Sequence, residues 1–148
     1  MMIAEASVMV RAPLDRIREA VMDPAAYIDG QTKVQEMFVE SRQGDQVVAR
    51  INGHLGPFRS HIRARYTVGD NRIELEMLWG RLRGFHAVFL MDEHPDGVLL
   101  THREEYDFGY GPLSPLLDRG LKHWAVGSVR AEVAALKRSA EGRGPSEG

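Results

Sequence analysis

From residue 3 to residue 11 the chain alternates, with Ala4, Ala6, Val8 and Val10 on one face and Glu5, Ser7 and Arg11 on the other; Met9 is the one apolar residue out of phase. A period of two is that of a strand buried on one side. At Pro13 the period lengthens. Leu14, Ile17 and Val21 recur three or four apart while Arg16, Arg18 and Glu19 turn away, which predicts a short amphipathic helix with proline at its first position. Asp23-Pro24 repeats that start signal, an N-cap followed by a first-turn proline, and predicts a second short helix through Tyr27 and Ile28 that ends at Gly30.

Beyond this point strand patterns recur six times, over residues 33–41, 46–54, 58–68, 72–79, 82–91 and 98–108. Between them stand Gln43-Gly44-Asp45, Gly56-Pro57, Gly69-Asp70-Asn71, Gly80-Arg81 and Pro95-Asp96-Gly97, all suited to tight reversal. Connections this short join antiparallel neighbours. Gly111-Pro112 ends the series, and Ser114 followed by Pro115 reads as the N-cap and first residue of a long helix reaching about Ser139. Some 25 residues at about 1.5 Å each make a rod of roughly 37 Å, enough to cross a whole sheet. Residues 141–148 are polar and Gly-containing and predict a disordered tail, leaving residues 1–140 as a single domain. One strand, two short helices, six antiparallel strands and a long helix define an α+β chain whose seven-stranded sheet curls around the C-terminal helix. A curved sheet and a straight rod leave space between them, and that space is the candidate site.

Length and charge narrow the possibilities. A chain of 148 residues buries a real core as one domain. With 19 Lys plus Arg against 21 Asp plus Glu, it offers no field that would collect phosphate backbones or anionic lipid, so neither nucleic acid nor membrane is an expected partner. The absence of Cys excludes disulfides, zinc–thiolate sites and thiol nucleophiles and fits a cytoplasmic location. Met1-Met2-Ile3-Ala4-Glu5 carries an acid early and lacks the pattern of an export signal. The expected partner is a small apolar molecule, and the expected state a monomer or homodimer.

The opening Val8-Met9-Val10-Arg11-Ala12-Pro13, the helix start Asp23-Pro24-Ala25-Ala26-Tyr27, the strand start Gly97-Val98-Leu99-Leu100-Thr101 and the closing helix over residues 113–137 resemble the START-related polyketide cyclase/dehydrase (SRPBCC) superfamily. The likeness covers almost the whole chain and implies the helix-grip fold. That superfamily includes aromatic polyketide cyclases, hydrophobic-ligand carriers, plant hormone receptors and chaperone regulators. The shared residues mark a fold and carry no catalytic signature. Cyclases of this kind commonly place Arg, Tyr or Trp around the polyketide, but no local motif here permits a residue-by-residue transfer.

The last strand carries the most chemical information. One of its faces reads Val98, Leu100, His102, Glu104, Tyr106, Phe108 and the other Leu99, Thr101, Arg103, Glu105, Asp107; the first is predicted to face inward. His102, Glu104 and Tyr106 thereby become candidate catalytic residues, with the structural alternative of a polar pair satisfied by the long helix or by water. Over residues 58–68 the row Phe58, Ser60, Ile62, Ala64, Tyr66, Val68 is predicted inward and the basic row Arg59, His61, Arg63, Arg65 outward. The turn near Gly80 sets the register of the next hairpin. A two-residue turn brings Gly84, His86 and Val88 inward, whereas a three-residue turn brings in Phe85, Ala87 and Phe89 and leaves His86 at the surface; apolar continuity with Ile73, Leu75 and Met77 favours the latter.

On the long helix Leu113, Leu117, Leu121, Trp124, Ala125, Ser128 and Leu136 form the apolar face, and Arg119, Lys122, His123, Arg130 and Lys137 a solvated one. A stripe of small residues, Gly120, Gly127 and Ala131, suggests close packing or room for a ligand. Candidate ligand-binding residues are Tyr27, Tyr66, Met77, Trp79, Phe85, Leu117, Trp124, Gly127 and Ser128. Six scattered His, no paired helical His motif and no Gly-rich phosphate loop leave no metal site and no cofactor expected. The leading expectation is a cofactor-free cyclase or dehydratase acting on a polyketide-like, oxygenated apolar molecule. Its rivals are a carrier that only binds, and a module that docks protein on the sheet exterior.

Overall fold

The computed structural model describes residues 1–23, 25–26, 34–55, 58–80, 82–109 and 111–142. Seven strands, β1 (Met2–Val10), β2 (Val34–Gln43), β3 (Gln46–Leu55), β4 (Phe58–Val68), β5 (Arg72–Trp79), β6 (Gly84–His94) and β7 (Gly97–Asp107), form one open sheet in the order β1-β7-β6-β5-β4-β3-β2. Every pairing is antiparallel. The hairpins follow the turn chemistry: Gly44 takes φ +60° between β2 and β3, and Gly97 takes φ +143° after Pro95-Asp96, where a Cβ would lie 2.6 Å from the Val10 carbonyl oxygen.

Helix α1 (Leu14–Val21) buries Ile17, Ala20 and Val21. Pro13 sits one position earlier than expected, as the extended N-cap residue, and its carbonyl accepts from the Arg16 and Ile17 amides. Most of the second short helix, including Tyr27, lies outside the described residues. At its start Asp23 Oδ1 accepts from the Ala25 amide at 3.0 Å, the capping bond that the Asp-Pro pair predicts. After a 3-10 turn at Gly111–Leu113, helix α2 (Ser114–Gly142) runs three residues past Ser139. Its 29 residues span roughly 44 Å.

Helix α2 packs chiefly along β1 and less closely on β7. Lys122, exposed as its place on the solvated face predicts, and Lys137, which is half-buried, donate to the backbone carbonyls of Ile3 and Met9. β1 is an edge strand, and these ammonium groups occupy carbonyls that no further strand pairs. Glu141 closes the far end by accepting from the Arg11 amide at 2.7 Å and pairing with Lys137 at 2.7 Å. The Arg11 amide, and then Lys137, hold its carboxyl below the usual range.

Two apolar clusters result. The larger joins α1, the inner faces of β3 to β7 and the end of α2 around Leu136 and Ala140; the smaller joins Met2, Ala4, Tyr106 and Phe108 to Ala125 and Val129 of α2. Leu117, Leu121 and Trp124 pack against the smaller one. Leu113, assigned to the apolar helix face, lies in the 3-10 turn before α2 and is 59% exposed.

Candidate functional site

Between the two clusters the inner face of β7 turns polar. Pairing places His102 between Ala6 of β1 and Phe89 of β6, Glu104 between Ala4 and Ala87, and Tyr106 between Met2 and Phe85. Three small neighbours leave headroom above the polar pair, which an approaching helix side chain can fill. That side chain is Glu132 of α2. Glu132 Oε2 and Glu104 Oε2 each lie 3.0 Å from His102 Nε2. His102, Glu104 and Glu132 are 1%, 2% and 2% exposed.

The partners determine the protons. His102 Nδ1 lies 3.2 Å from the Val88 carbonyl oxygen, and Nε2 faces the two carboxylates. With a carbonyl at Nδ1 and ionised carboxylates at Nε2, the imidazolium form donates at both ring nitrogens. Burial by itself would lower the imidazole pKa, but Glu104 and then Glu132 outweigh it and raise His102 to about 9. The Phe89 ring stacks on the imidazole with centroids 4.0 Å apart, a cation–π contact for the charged form. The Tyr106 hydroxyl donates to Glu104 Oε1 at 2.5 Å. Burial and the Glu104 charge push the Tyr106 phenol well above its ordinary value. Burial, then the charges of Glu132 and Glu104, push Tyr66 up as well, so both phenols keep their protons.

This polar trio forms one wall of a pocket of about 590 Å³, including its open mouth. Ile51, Ile62, Leu75, Leu82, Phe85 and Phe89 supply apolar walls; Tyr66 and Tyr106 border the buried end, and His54 and Ser60 also line the space. The register of β5 and β6 pairs Ile73 with Phe89 and Leu75 with Ala87, so the three-residue-turn face is the inward one. His86 is turned outward beside Glu105.

Of the residues singled out in the sequence, the fold brings His102, Glu104, Tyr106, Tyr66 and Phe85 to the pocket. Others are placed elsewhere. Trp79 is 67% exposed at the end of β5, and Met77 is half-buried and does not line the pocket. Leu117 and Trp124 belong to the smaller apolar cluster, and Ser128 is buried in the helix interface without reaching the cavity. The small-residue stripe is corrected most clearly. Gly120 and Gly127 are exposed, and a Cβ at either would meet nothing within 4 Å. The helix turns them away from the sheet because Ala125, Val129, Glu132 and Leu136 already occupy the sheet side.

Glu132 is the residue the sequence reading missed. It lies four residues after Ser128 and four before Leu136, squarely on the apolar face, and an acid in such a row is the same signal that singled out Glu104. His102, Glu104 and Glu132 each bring a ligand atom within 4.8 Å of the others. One cation could therefore touch all three, where no metal set had been expected, and it would take the place of the His102 Nε2 proton.

No family model and no curated protein matches this sequence. Solved structures do match, and they show the helix-grip fold, a curved antiparallel sheet with a long C-terminal helix. The chain is similar to TTHA0849 from Thermus thermophilus, with a TM-score of 0.84 at 14% identity over 96% of this chain and 99% of the other. It is also similar to the ZhuI aromatase/cyclase from Streptomyces sp. R1128, with a TM-score of 0.78 at 18% identity over 99% and 97%. A START superfamily protein from Mycobacterium smegmatis gives 0.76 at 16% identity over 96% and 99%. Among the described residues no helix is long and apolar enough to cross a membrane.

Proposed function

We propose that this chain encloses a small, largely apolar, oxygenated molecule of polyketide type and promotes its cyclisation or dehydration by proton transfer. The observation that carries this reading is the buried His102, set 3.0 Å from both the Glu104 and the Glu132 carboxyl groups at the side of an apolar pocket. In a cyclisation, a carboxylate of the trio takes a proton from carbon next to a carbonyl, the resulting enolate carbon attacks a second carbonyl, and His102 returns a proton to the new alkoxide. Loss of that hydroxyl with a neighbouring C–H proton releases water. Apolar walls hold the flexible chain folded for the attack. His102, Glu104 and Tyr106 are thus the proposed catalytic group, with Glu132 added from the helix, and Tyr66 and Phe85 the proposed ligand contacts.

The test is incubation of the purified protein with poly-β-keto substrates, followed by mass analysis of products. Glu104→Gln keeps size and hydrogen bonding but cannot ionise, and turnover should fall on the order of a hundredfold or more with little change in binding. Full turnover in both Glu104→Gln and His102→Asn would remove the trio from the mechanism. One observation favours a carrier instead. Both His102 nitrogens and Glu104 Oε1 are satisfied inside the protein, as in a purely structural network, and tight binding without turnover would establish that reading.

A further inference from the structure

Antiparallel pairing sends the starts of β1, β2, β4 and β6 and the close of β3, β5 and β7 to one end of the sheet, and the ion pair of the amino terminus with Asp118 sets the first turns of α2 beside them. The pocket opens there: Val34, Gly53, His54, Ser60, Leu82 and Phe85 line it from that end, and the hairpins of the opposite end contribute no lining residue. Exposed apolar side chains collect at the same place. Of the nine large ones among the described residues, Met1, Phe58, Leu78, Trp79, Leu113 and Leu116 stand at the mouth end, on separate projections from β1, β4, β5 and the approach to α2. Charge is divided in the same way. Arg59, Arg83, Arg119 and Lys122 are exposed at the mouth end, where Asp107 lies 3.6 Å from Arg83, Asp118 takes the amino terminus and Glu36 stands beside Asn52. Among the described residues Arg59 and Arg119 pair with no carboxylate. The opposite hairpin tips carry Asp45, Asp70, Asp92, Glu93 and Asp96, all exposed.

The net charge of -2 is therefore an average over two unlike ends. The 29 residues of α2 hold them roughly 44 Å apart, whereas charges are screened over about 8 Å at physiological salt. A surface that meets the mouth end feels chiefly the cations of that end. We infer that this end docks on an anionic lipid surface, with Phe58, Trp79, Leu113 and Leu116 at headgroup depth, Arg59 and Arg119 on the lipid phosphates, and the pocket mouth facing the bilayer. Trp and Leu beside arginine make up the composition that settles where water meets hydrocarbon. Separate projections suit a deformable lipid layer, whereas a protein partner requires one continuous, matched surface. The inference goes beyond the proposed reaction: it depends on where the pocket opens and not on turnover, and an apolar ligand dissolved in the bilayer would reach the mouth without crossing water.

The test is sedimentation of the full chain with sucrose-loaded vesicles of phosphatidylcholine, with and without roughly one-third phosphatidylglycerol. Binding should require the anionic lipid and weaken as salt rises. Arg59→Gln with Arg119→Gln, both at exposed positions, should lower partitioning about 30-fold. Arg42→Gln with Arg138→Gln removes as many charges from the opposite end and should lower it less than about threefold. Trp79→Ser with Leu116→Ser should weaken binding at least about tenfold. In a Trp124→Phe background the Trp79 emission should shift to the blue on anionic vesicles and be quenched by brominated lipid. Equal losses in the two arginine pairs, or an unchanged Trp79 spectrum in vesicle-bound protein, overturn the inference. So does the absence of vesicle binding, which leaves the enclosure proposal standing. Dimers that Trp79→Ser abolishes would then give the surface to a second copy, and capture of a soluble acidic protein that is lost with Arg59 and Arg119 would give it to a protein partner.

Discussion

β4 and β7 are built from the same kinds of residue and use them in opposite ways. On β4 the charged row faces water. Arg63 pairs with Glu40 at 2.7 Å and Arg65 with Glu76 at 2.9 Å, and all four side chains are substantially exposed. On β7 the polar row faces the helix, and His102 meets Glu104 and Glu132 at 3.0 Å with almost no solvent. The distances are alike but the energetics are not. Exposed pairs compete with water and salt and stabilise by about 0–1 kcal/mol. The buried trio has lost its hydration, so each member depends on the others and removal of one is costly.

The widest separation between the two strands should come from deleting the central cation. His102→Ala leaves two buried carboxylates facing each other, and urea unfolding should show a loss of about 3–5 kcal/mol. A loss below about 1 kcal/mol would mean that the trio is hydrated and no different in kind from the β4 pairs.

Titration sharpens the same contrast without mutation. Because His102 is raised in the folded state from 6.5 to about 9, folding favours its protonated form. That contribution is complete below pH 6.5 and is lost as pH rises through about 9. Urea midpoints should therefore fall across this window in the wild type, and the His102→Ala protein should lack that step. The imidazole resonances of His102 should move near pH 9, whereas a midpoint at the ordinary imidazole value of about 6.5 would show that the carboxylates do not hold its proton.

Smaller effects are expected away from the trio. Gly127→Ala adds a methyl into open space on the outer side of α2 and should stabilise the protein by up to about 1 kcal/mol through helix propensity. Ligand affinity should not change; weaker binding would return the small-residue stripe to the site. Arg65→Ala removes a surface pair and should cost less than about 1 kcal/mol, with the loss shrinking further in high salt.

Local pattern was enough to determine the strands, the long helix and the inward face of β7. Alternation, the Asp23 cap, the turn residues and the Ser-Pro helix start each act within a few residues of chain, so each is legible where it is written. His102, Glu104 and Tyr106 could be assigned to one buried row for that reason, and the β5–β6 register followed from apolar continuity. Tertiary structure decided what those residues meet. Glu132 lies 28 residues beyond Glu104 in the chain, and only the laying of α2 along β1 brings its carboxylate to His102. The same placement turned Gly127 outward and drew Lys122 and Lys137 to the edge of β1. The physical reason is that a side chain's face follows from local geometry, whereas its partner follows from how distant elements pack, and the charge of a site belongs to the partners together.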